Sequence, residues 1–475
     1  MLRSAVLILS GNAAAALLLL ARNLIIARLI PVADYGIAAT FAIAMAVVEM
    51  MSALGLQQQI VQAKDGDDPR FQAALQGFQV LRGVIAGAVL YLLATPIADF
   101  LQVPQAAWAY RLMALVPVLN ALVHFDIYRM NRQMQFGPLL LTGAVPALAS
   151  VLAVWPLSVW YGDYKVMLYA VILQAVLTAV TSHLVATRPY RLLLDRAVMG
   201  QSLRFGWPLL VNGILLFAVF QGDKLIVGRE LGMEALAIFA MGFTLTLTPT
   251  LVMAKSVQNL FLPQLVAALG DAPRFAHLSA VTLQAVLLLG LSLVMITVLI
   301  GAPVVYLLLG DKYLDLLPYL PWLAVMQAVR VFKAGPAIVA LALGHTSNAM
   351  LSNLGRVLSL PVCWAVAVTS GDLLVIIWVA IAGEVLGQIT AILLLRYKSA
   401  GGLQGLIWPH AGAAALLVTA GAAVLGDQTP GAPDFAAPWI GLVFALIAGQ
   451  IIWASGDLRR YIRLRGMGGN NDVAP

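Results

Sequence analysis

The sequence predicts an all-α, polytopic membrane protein with about 14 transmembrane helices, and three observations lead to this fold class. Hydrophobic residues make up 62% of the 475-residue chain and charged residues 10%, whereas about one quarter of an average soluble domain is charged. The apolar residues form successive stretches of roughly 17–25 residues, the length that a helix needs to cross a hydrocarbon core of about 30 Å. These stretches lack the alternation that membrane β-strands require.

Each apolar stretch predicts one span. In chain order the spans cover 5–30, 36–56, 78–98, 109–126, 138–158, 166–186, 206–228, 235–254, 280–309, 317–343, 350–369, 374–395, 409–425 and 438–455. The first stretch, which begins MLRSAVLILSG, is interpreted as a span and not as a signal peptide, because its apolar run continues to Ile30. The even number of helices predicts that both ends of the chain lie on one side of the membrane.

The basic residues of the short loops predict which side that is. With the N-terminus inside, nineteen arginines and lysines fall on the cytoplasmic side, among them Arg82 and Arg356, and five fall on the outer side. We therefore expect both termini to be cytoplasmic. The net charge of +7 then reflects topology and contact with membrane lipids, and no nucleic-acid partner is expected.

An internal repeat divides the predicted spans. The segment NLIIARLIPVADYGIAA, residues 23–39, aligns without a gap with KLIVGRELGMEALAIFA, residues 224–240, and Arg28 meets Arg229. Six predicted helices separate the two copies, and an even number preserves orientation, so we expect two parallel six-helix pseudo-repeats. The predicted domains are an N-terminal lobe at 1–200, a C-terminal lobe at 201–400, and two additional helices with a cytoplasmic tail at 401–475.

The patterns of several enzyme classes are missing from the sequence. There is no G-x-x-x-x-G-K-[ST] phosphate loop, the five histidines are scattered singly without metal-ligand spacing, and the one cysteine, Cys363, lies in an apolar segment. All loops are short, which leaves no room for a soluble catalytic domain. We expect a protein that is not an enzyme and has no cofactor and no catalytic or metal-binding residues.

Charged residues at the end of the first predicted helix are candidate site residues, because charges inside membrane helices generally face a protein interior or a water-filled cavity. Arg22 is the deeper one, and the second repeat places Asp223 at the matching position, followed by Lys224. This arrangement predicts either an ion pair between the two half-domains or a cavity wall. For Arg28 and its counterpart Arg229, an interfacial or local ion-pairing role competes with a place in a cavity.

The tenth predicted helix carries a second candidate site. Arg330 and Lys333 are three residues apart, so they share one helix face, and two like charges there require an anion. The alternative is that both residues lie near a membrane interface. The Gly335-Pro336 dipeptide is expected to weaken the helix locally. Glu49 and Glu384, inside the second and twelfth spans, either balance these cations in an ion pair or carry a coupling ion.

Four segments of the chain resemble the Wzx-type polysaccharide flippases of the multidrug/oligosaccharidyl-lipid/polysaccharide exporter superfamily. They are IIARLIPVADYGIAATFAIAMAVVEMMSALGLQQQIV, RELGMEALAIFAMGFTL, FGWPLLVNGILL and ALALGHTSNAMLSNLGR. The resemblance covers most of the chain. It lies in the order and spacing of helices and turns, and its motifs contain no catalytic signature.

This resemblance implies a fold and a function. Two six-helix lobes would surround a central cavity and alternate between a cytoplasmic and a periplasmic opening in the bacterial inner membrane. The implied substrate is an undecaprenyl-pyrophosphate-linked oligosaccharide for exopolysaccharide, capsule or O-antigen (lipopolysaccharide) export. A cationic wall of Arg22, Lys224, Arg330 and Lys333 suits its pyrophosphate. A polysaccharide polymerase and export machinery are expected partners, and the protein is expected to act as a monomer.

Two related functions stay open at this point. A multidrug or cation antiporter of the same superfamily would be expected to use acidic residues, whereas the deep charges here are mostly basic. A lipid II flippase differs only in its substrate. The glycan's identity and the energy source, including proton coupling through Glu49, Asp223 or Glu384, do not follow from the sequence.

Overall fold

The structure is a computed structural model, and it describes residues 2–52, 54–345, 347–398, 446, 449–453 and 455–466. All regular elements in these ranges are helical, which confirms the predicted fold class. The helices are α1 (Leu2–Leu29), α2 (Val32–Ser52), α3 (Leu56–Gln62), α4 (Pro69–Phe100), α5 (Ala107–Met113), α6 (Leu115–Ala121), α7 (Asp126–Arg132), α8 (Gly137–Trp160), α9 (Lys165–Val185), α10 (Arg196–Glu230), α11 (Met233–Ala267), α12 (Ala272–Leu309), α13 (Leu320–Ala342), α14 (Ser347–Leu358), α15 (Leu360–Ser370), α16 (Leu373–Lys398) and α17 (Gly456–Gly466).

Ten helical segments in the described ranges are long and apolar enough to cross a membrane. A bent pair, Pro104–Ala121 with Asp126–Arg132, adds an eleventh if it forms one broken span. The protein is therefore a multi-pass membrane protein. The count of 14 stays a prediction, since the span at 409–425 lies outside the described residues and most of the span at 438–455 does as well.

The predicted span at 109–126 is not one straight helix. It is divided into α5 and α6, and α7 follows at an angle of 46°. Pro117 has no N–H to donate to the carbonyl of Met113, so the helical hydrogen bonding is interrupted between α5 and α6.

Helix α10 begins ten residues before the predicted span that starts at 206. Asp195 caps its N-terminus, because its side chain accepts hydrogen bonds from the backbone N–H groups of Ala197 (2.9 Å) and Val198 (3.3 Å). The first turns of α10 mix apolar residues with Arg196, Gln201, Ser202 and Arg204, and a hydropathy pattern therefore does not include them.

Contacts between residues divide the chain into two compact units. Unit 1 comprises Met1–Ile238 and Leu308–Lys312, and unit 2 comprises Phe239–Leu307 and Tyr313–Pro475. In unit 1, α8 packs against α1 and α9, and α10 packs against α2. In unit 2, α16 packs against α13 and α14. Helix α13 lies in the interior of unit 2, and 83% of the residues in its apolar 18-residue stretch are buried.

Candidate functional site

Unit 1 contains a cavity of about 800 Å³ that we call the unit 1 cavity. It is lined by residues of α2, α3, α4, α6, α7, α8, α9 and α10. Side chains with amide or hydroxyl groups make up much of its polar lining: Gln57, Gln58, Gln79, Asn120, Tyr128, Thr142, Thr178 and Asn212. A lining of this composition offers both hydrogen-bond donors and acceptors.

Two charged side chains, Arg82 and Glu49, also line the unit 1 cavity. Arg82 donates a hydrogen bond to Oε1 of Gln79 at 3.0 Å, one turn earlier on α4. The charges of Arg82 and Glu49 interact electrostatically. The predicted residue Glu49 thus lies at a cavity together with Arg82, a cation that the sequence analysis did not pair with it, and its role as an ion partner or coupling residue stays a prediction.

Arg22 lies among α1, α8 and α9 in the interior of unit 1, where it is 8% exposed. Its Nη1 donates to Oγ of Ser150 at 3.1 Å and to Oε1 of Gln174 at 2.6 Å, and its Nε donates to Oδ1 of Asn23 at 3.4 Å. A buried guanidinium needs such acceptors, because leaving its N–H groups unsatisfied would add to the desolvation cost. These neutral partners were not anticipated from the sequence.

Asp223 and Lys224 belong to α10 in the same unit as Arg22. The sequence placed Arg22 and Asp223 in two half-domains, whereas the contacts group both with unit 1. Asp223 is 2% exposed, and Lys224 donates from Nζ to Oε1 of Gln221 at 3.2 Å. Any interaction between the charges of Arg22 and Asp223 would therefore be internal to unit 1.

The remaining pair of predicted residues lies at the surface of unit 1. Arg28 is exposed. Arg229 is 3.7 Å from the carboxylate of Glu230, donates to the carbonyl of Phe100 at 2.5 Å, and lies over the Phe100 ring at 5.1 Å. For Arg229 these contacts are local ones, and the choice between an interfacial and a cavity role stays a prediction for both arginines.

Unit 2 contains a buried ionic cluster of Glu384, Arg330, Lys333 and Arg356, which we call the Glu384 cluster. Glu384 Oε1 accepts from Nε of Arg330 at 2.6 Å, and Oε2 accepts from Nζ of Lys333 at 2.9 Å. Nε of Arg356 lies 3.4 Å from Oε1. The side chains of Glu384 and Arg356 are fully buried, and those of Arg330 and Lys333 are 7% and 11% exposed.

Further contacts hold the three cations in place. Lys333 Nζ also donates to Oδ1 of Asn353 at 2.9 Å, and Arg356 Nη1 donates to Oγ of Ser359 at 2.8 Å. The Arg330 guanidinium lies 5.2 Å from the centre of the Phe243 ring, a favourable cation–π distance. The anion that Arg330 and Lys333 require on their shared helix face is therefore Glu384, and the cluster retains two more positive than negative charges.

Small residues bring the helices of the Glu384 cluster together. A Cβ atom on Gly387 of α16 would lie 2.5 Å from the carbonyl oxygen of Ser352, and one on Gly383 would lie 2.4 Å from Oγ of Ser359. The spacing G-x-x-x-G permits this close approach of membrane helices. Because Glu384 follows Gly383 directly, the contact between α14 and α16 presents the carboxylate to Arg356.

Sequence reasoning did not single out Arg82 or Arg356, since both were counted among the cytoplasmic cations. Arg82 lies inside α4, and Arg356 lies inside α14, where it is among the largest fully buried side chains. Both residues lie inside a predicted span, 78–98 for Arg82 and 350–369 for Arg356. This position within a span was the available signal that they are not loop cations. The expected weakening at Gly335-Pro336 does not interrupt α13, and Gly335 instead permits close packing against Val286 of α12.

Sequence comparisons relate the chain to proteins of polysaccharide biosynthesis. The family model described as "Polysaccharide biosynthesis protein" matches residues 25–318, more than half of the chain. The teichuronic acid biosynthesis protein TuaB of Bacillus subtilis (strain 168) is 22% identical over 334 residues, covering 69% of this chain and 68% of TuaB.

Two solved structures have a similar fold. The lipid II flippase MurJ in an inward closed conformation has a TM-score of 0.70 at 14% identity, covering 96% of this chain and 99% of MurJ. An inward-facing multidrug resistance MATE family transporter of the MOP superfamily has a TM-score of 0.66 at 14% identity, covering 81% of this chain and 94% of the transporter. The chain therefore belongs to the polysaccharide biosynthesis protein family and has the fold of MOP superfamily transporters.

Proposed function

We propose that this protein is a flippase that moves an undecaprenyl-pyrophosphate-linked oligosaccharide from the cytoplasmic to the periplasmic leaflet of the bacterial inner membrane by alternating access. The exported glycan would serve as exopolysaccharide, capsule or O-antigen. Family membership supports a role in polysaccharide biosynthesis. The single observation that carries the proposal is the unit 1 cavity, a large space inside a unit of membrane-spanning helices whose mixed lining includes many amide and hydroxyl side chains.

The chemistry of the unit 1 cavity suits a saccharide. Sugar hydroxyls both donate and accept hydrogen bonds, as do the amide side chains of Gln57, Gln58, Asn120 and Asn212. Such side chains bind a neutral glycan without demanding a fixed charge. A volume of about 800 Å³ is within the range of ligand sites in proteins, roughly 300–1,000 Å³.

The pyrophosphate requires positive charge. Arg82 supplies a guanidinium at the unit 1 cavity, where charge-assisted hydrogen bonds to phosphate oxygens are strong. The sequence-predicted cations Arg22, Lys224, Arg330 and Lys333 stay in the proposal as sources of positive potential. In unit 2 the Glu384 cluster holds three cations and one carboxylate. It therefore keeps a net positive charge although its cations pair with Glu384.

Further parts of the proposal concern the protein's surroundings. The loop charges favour cytoplasmic termini. The protein would act as a monomer and deliver its substrate to a polysaccharide polymerase and the export machinery. A lipid II flippase would use the same chemistry. Glu49 at the unit 1 cavity is the observation that favours the alternative of a proton-coupled antiporter, because a carboxylate there could bind a cation or a proton.

Binding to the purified full-length protein tests the proposal. The probe is an undecaprenyl-pyrophosphate-linked oligosaccharide, compared with lipid II and with a small organic cation. We expect the lipid-linked oligosaccharide to bind, and Arg82→Gln to weaken its binding about tenfold or more, as the loss of one charged hydrogen bond predicts. Arg70→Gln is the matched control, because the Arg70 side chain is 77% exposed near the start of the same helix.

Two results would overturn the proposal. Equal binding of the oligosaccharide by the wild type and Arg82→Gln would remove the cavity as its site. Binding of the organic cation without binding of the lipid-linked oligosaccharide would assign the chain to the antiporters. Preference for lipid II over the oligosaccharide would keep the flippase and change its substrate.

A further inference from the structure

Helix α17 (Gly456–Gly466) follows directly on an apolar segment of the chain. The backbone N–H of Ser455 donates to the carbonyl of Ile451 at 2.8 Å, and that of Arg459 donates to the carbonyl of Ser455 at 3.2 Å. Residues 449–453 are helical and belong to the predicted span 438–455. Helix α17 therefore begins where this predicted span ends.

A second membrane span ends at the hydrophobic cluster that α17 contacts. Helix α16 is apolar enough to cross a membrane up to Tyr397. Leu395, in its last turns, belongs to the cluster in unit 2 against which Leu458 and Tyr461 of α17 pack. Tyr397 is 89% exposed and Trp453 is 74% exposed, and such aromatic residues are enriched at the membrane–water interface. The ends of the two spans place α17 at the level of the lipid headgroups.

One face of α17 is fixed to unit 2. Tyr461 donates from its hydroxyl to Oε1 of Gln264 on α11 at 2.9 Å. Asp457 Oδ1 lies 3.1 Å from Nδ1 of His277, and its Oδ2 accepts from Nε2 of Gln284 at 3.3 Å, both on α12. These contacts determine which face of α17 points away from unit 2.

The opposite face of α17 is basic. Arg459, Arg460 and Arg463 are exposed, and we call them the α17 arginine face. Because Arg463 lies three residues after Arg460 and four after Arg459, the three side chains are neighbours on the helix surface. Arg459 also donates to the carbonyl of Trp453 at 2.5 Å, which holds its guanidinium at the end of the preceding segment. Arg396, exposed at the end of α16, adds a cation at the same membrane level.

Little negative charge neutralises the α17 arginine face. The acidic residue of α17 is Asp457, and it is engaged by His277 and Gln284 on the docked face. Among the described residues, neither Arg460 nor Arg463 forms a salt bridge with a carboxylate, whereas Asp457 does so with His277. The face therefore presents an uncompensated positive charge to its surroundings.

We propose that the α17 arginine face binds the headgroups of anionic phospholipids. Guanidinium groups form charge-assisted and often bidentate hydrogen bonds with phosphate oxygens. Clusters of basic residues that immediately follow a membrane span attract anionic lipids through the surface potential of the leaflet. The predicted cytoplasmic side of the chain's end makes the inner leaflet the source of these lipids.

The docking of α17 distinguishes this site from the charge of a loose loop. Since Tyr461 and Asp457 already hold the helix against α11 and α12, its arginines lose less conformational freedom on binding than those of an unfixed segment. The inference is independent of the flippase proposal, because none of these residues lines the unit 1 cavity or belongs to the Glu384 cluster.

The experiment measures lipid retention by the purified full-length protein with native mass spectrometry. The probes are anionic phosphatidylglycerol and zwitterionic phosphatidylcholine. The variant Arg460→Gln/Arg463→Gln removes exposed charges and leaves the docked face of α17 untouched. Arg196→Gln/Arg204→Gln, at exposed positions in the first turns of α10, is the matched control, because it changes the net charge equally.

We expect the wild type to retain phosphatidylglycerol in preference to phosphatidylcholine. Arg460→Gln/Arg463→Gln should weaken phosphatidylglycerol retention about tenfold or more, because each basic residue near an anionic surface raises the affinity several-fold. The control variant should match the wild type.

Three results would overturn the proposal. Equal phosphatidylglycerol retention by the wild type and Arg460→Gln/Arg463→Gln would remove the α17 arginine face as the site. An equal loss in the control variant would assign the effect to net charge alone. Binding of polyglutamate by the wild type, without preference for phosphatidylglycerol over phosphatidylcholine, would assign the face to an acidic protein partner.

Discussion

Replacement of Glu384 by glutamine removes the single carboxylate of the Glu384 cluster while keeping the shape of the side chain. In the wild type this fully buried carboxylate accepts from Arg330 and Lys333 and lies 3.4 Å from Nε of Arg356. The variant leaves three cations facing a neutral amide in the interior of unit 2. We expect it to be strongly destabilised.

The expected loss of stability is larger for Glu384→Gln than for the loss of one cation, because the cluster holds three cations and a single anion. Removing one partner of a buried ion pair costs about 3–5 kcal/mol, because the remaining charge is left uncompensated. Arg330→Gln removes one charged hydrogen bond, worth about 1.5–3 kcal/mol, but leaves Glu384 with Lys333 and Arg356 and relieves repulsion among the cations. Glu384→Gln should therefore cost more than Arg330→Gln or Lys333→Gln.

The assay is the free energy of unfolding of the purified protein, measured by titration with SDS in mixed micelles. Glu230→Gln is the control, since its pair with Arg229 is partly exposed at 3.7 Å and should contribute about 0–1 kcal/mol. The double variant Glu384→Gln/Arg330→Gln should recover part of the loss, because it removes one of the unpaired cations. If Arg330→Gln were as costly as Glu384→Gln, or Glu384→Gln matched Glu230→Gln, the reasoning would be refuted.

Three further predictions concern packing and the linker 186–195. Gly387→Leu should lower the free energy of unfolding by about 1–3 kcal/mol or more in the same assay, because its Cβ would meet a backbone carbonyl, whereas Gly200→Ala has open space and should be neutral or stabilising. Asp126→Asn should speed hydrogen exchange in the linker, because a neutral amide accepts the linker's N–H groups more weakly, and unchanged exchange would contradict this. Burial raises the pKa of Tyr190, so its stabilising contribution is complete below about pH 10 and is lost as the pH rises through the higher folded-state pKa. Linker exchange should accelerate in that range in the wild type beyond the intrinsic rate increase, and not in Tyr190→Phe.

Hydrophobic stretches predicted the helical class and most spans, because the length and apolar character of a span are local properties of the sequence. Broken and extended helices were less predictable. The division of the span at 109–126 depends on Pro117, which is visible in the sequence, and on the 46° bend to α7, which is not. The early start of α10 at Arg196 depends on a polar cap at Asp195 that hydropathy ignores.

The candidate site was predictable in part. The three-residue spacing of Arg330 and Lys333 correctly placed both on one helix face, but their partner on α16 is 51 or more residues away along the chain. The G-x-x-x-G spacing around Glu384 was a signal for close helix packing. The position of the linker was not predictable, because it depends on how 186–195 folds back over α4, which no local pattern specifies.

Transbilayer movement of a labelled undecaprenyl-pyrophosphate-linked oligosaccharide in proteoliposomes tests the central claim most directly. We predict that the wild type moves the lipid faster than protein-free vesicles do, and that Arg82→Gln, Arg330→Ala and Lys333→Ala are slower while still folded and inserted. Absence of movement by the wild type, together with proton-driven efflux of small organic cations from the same vesicles, would contradict the account.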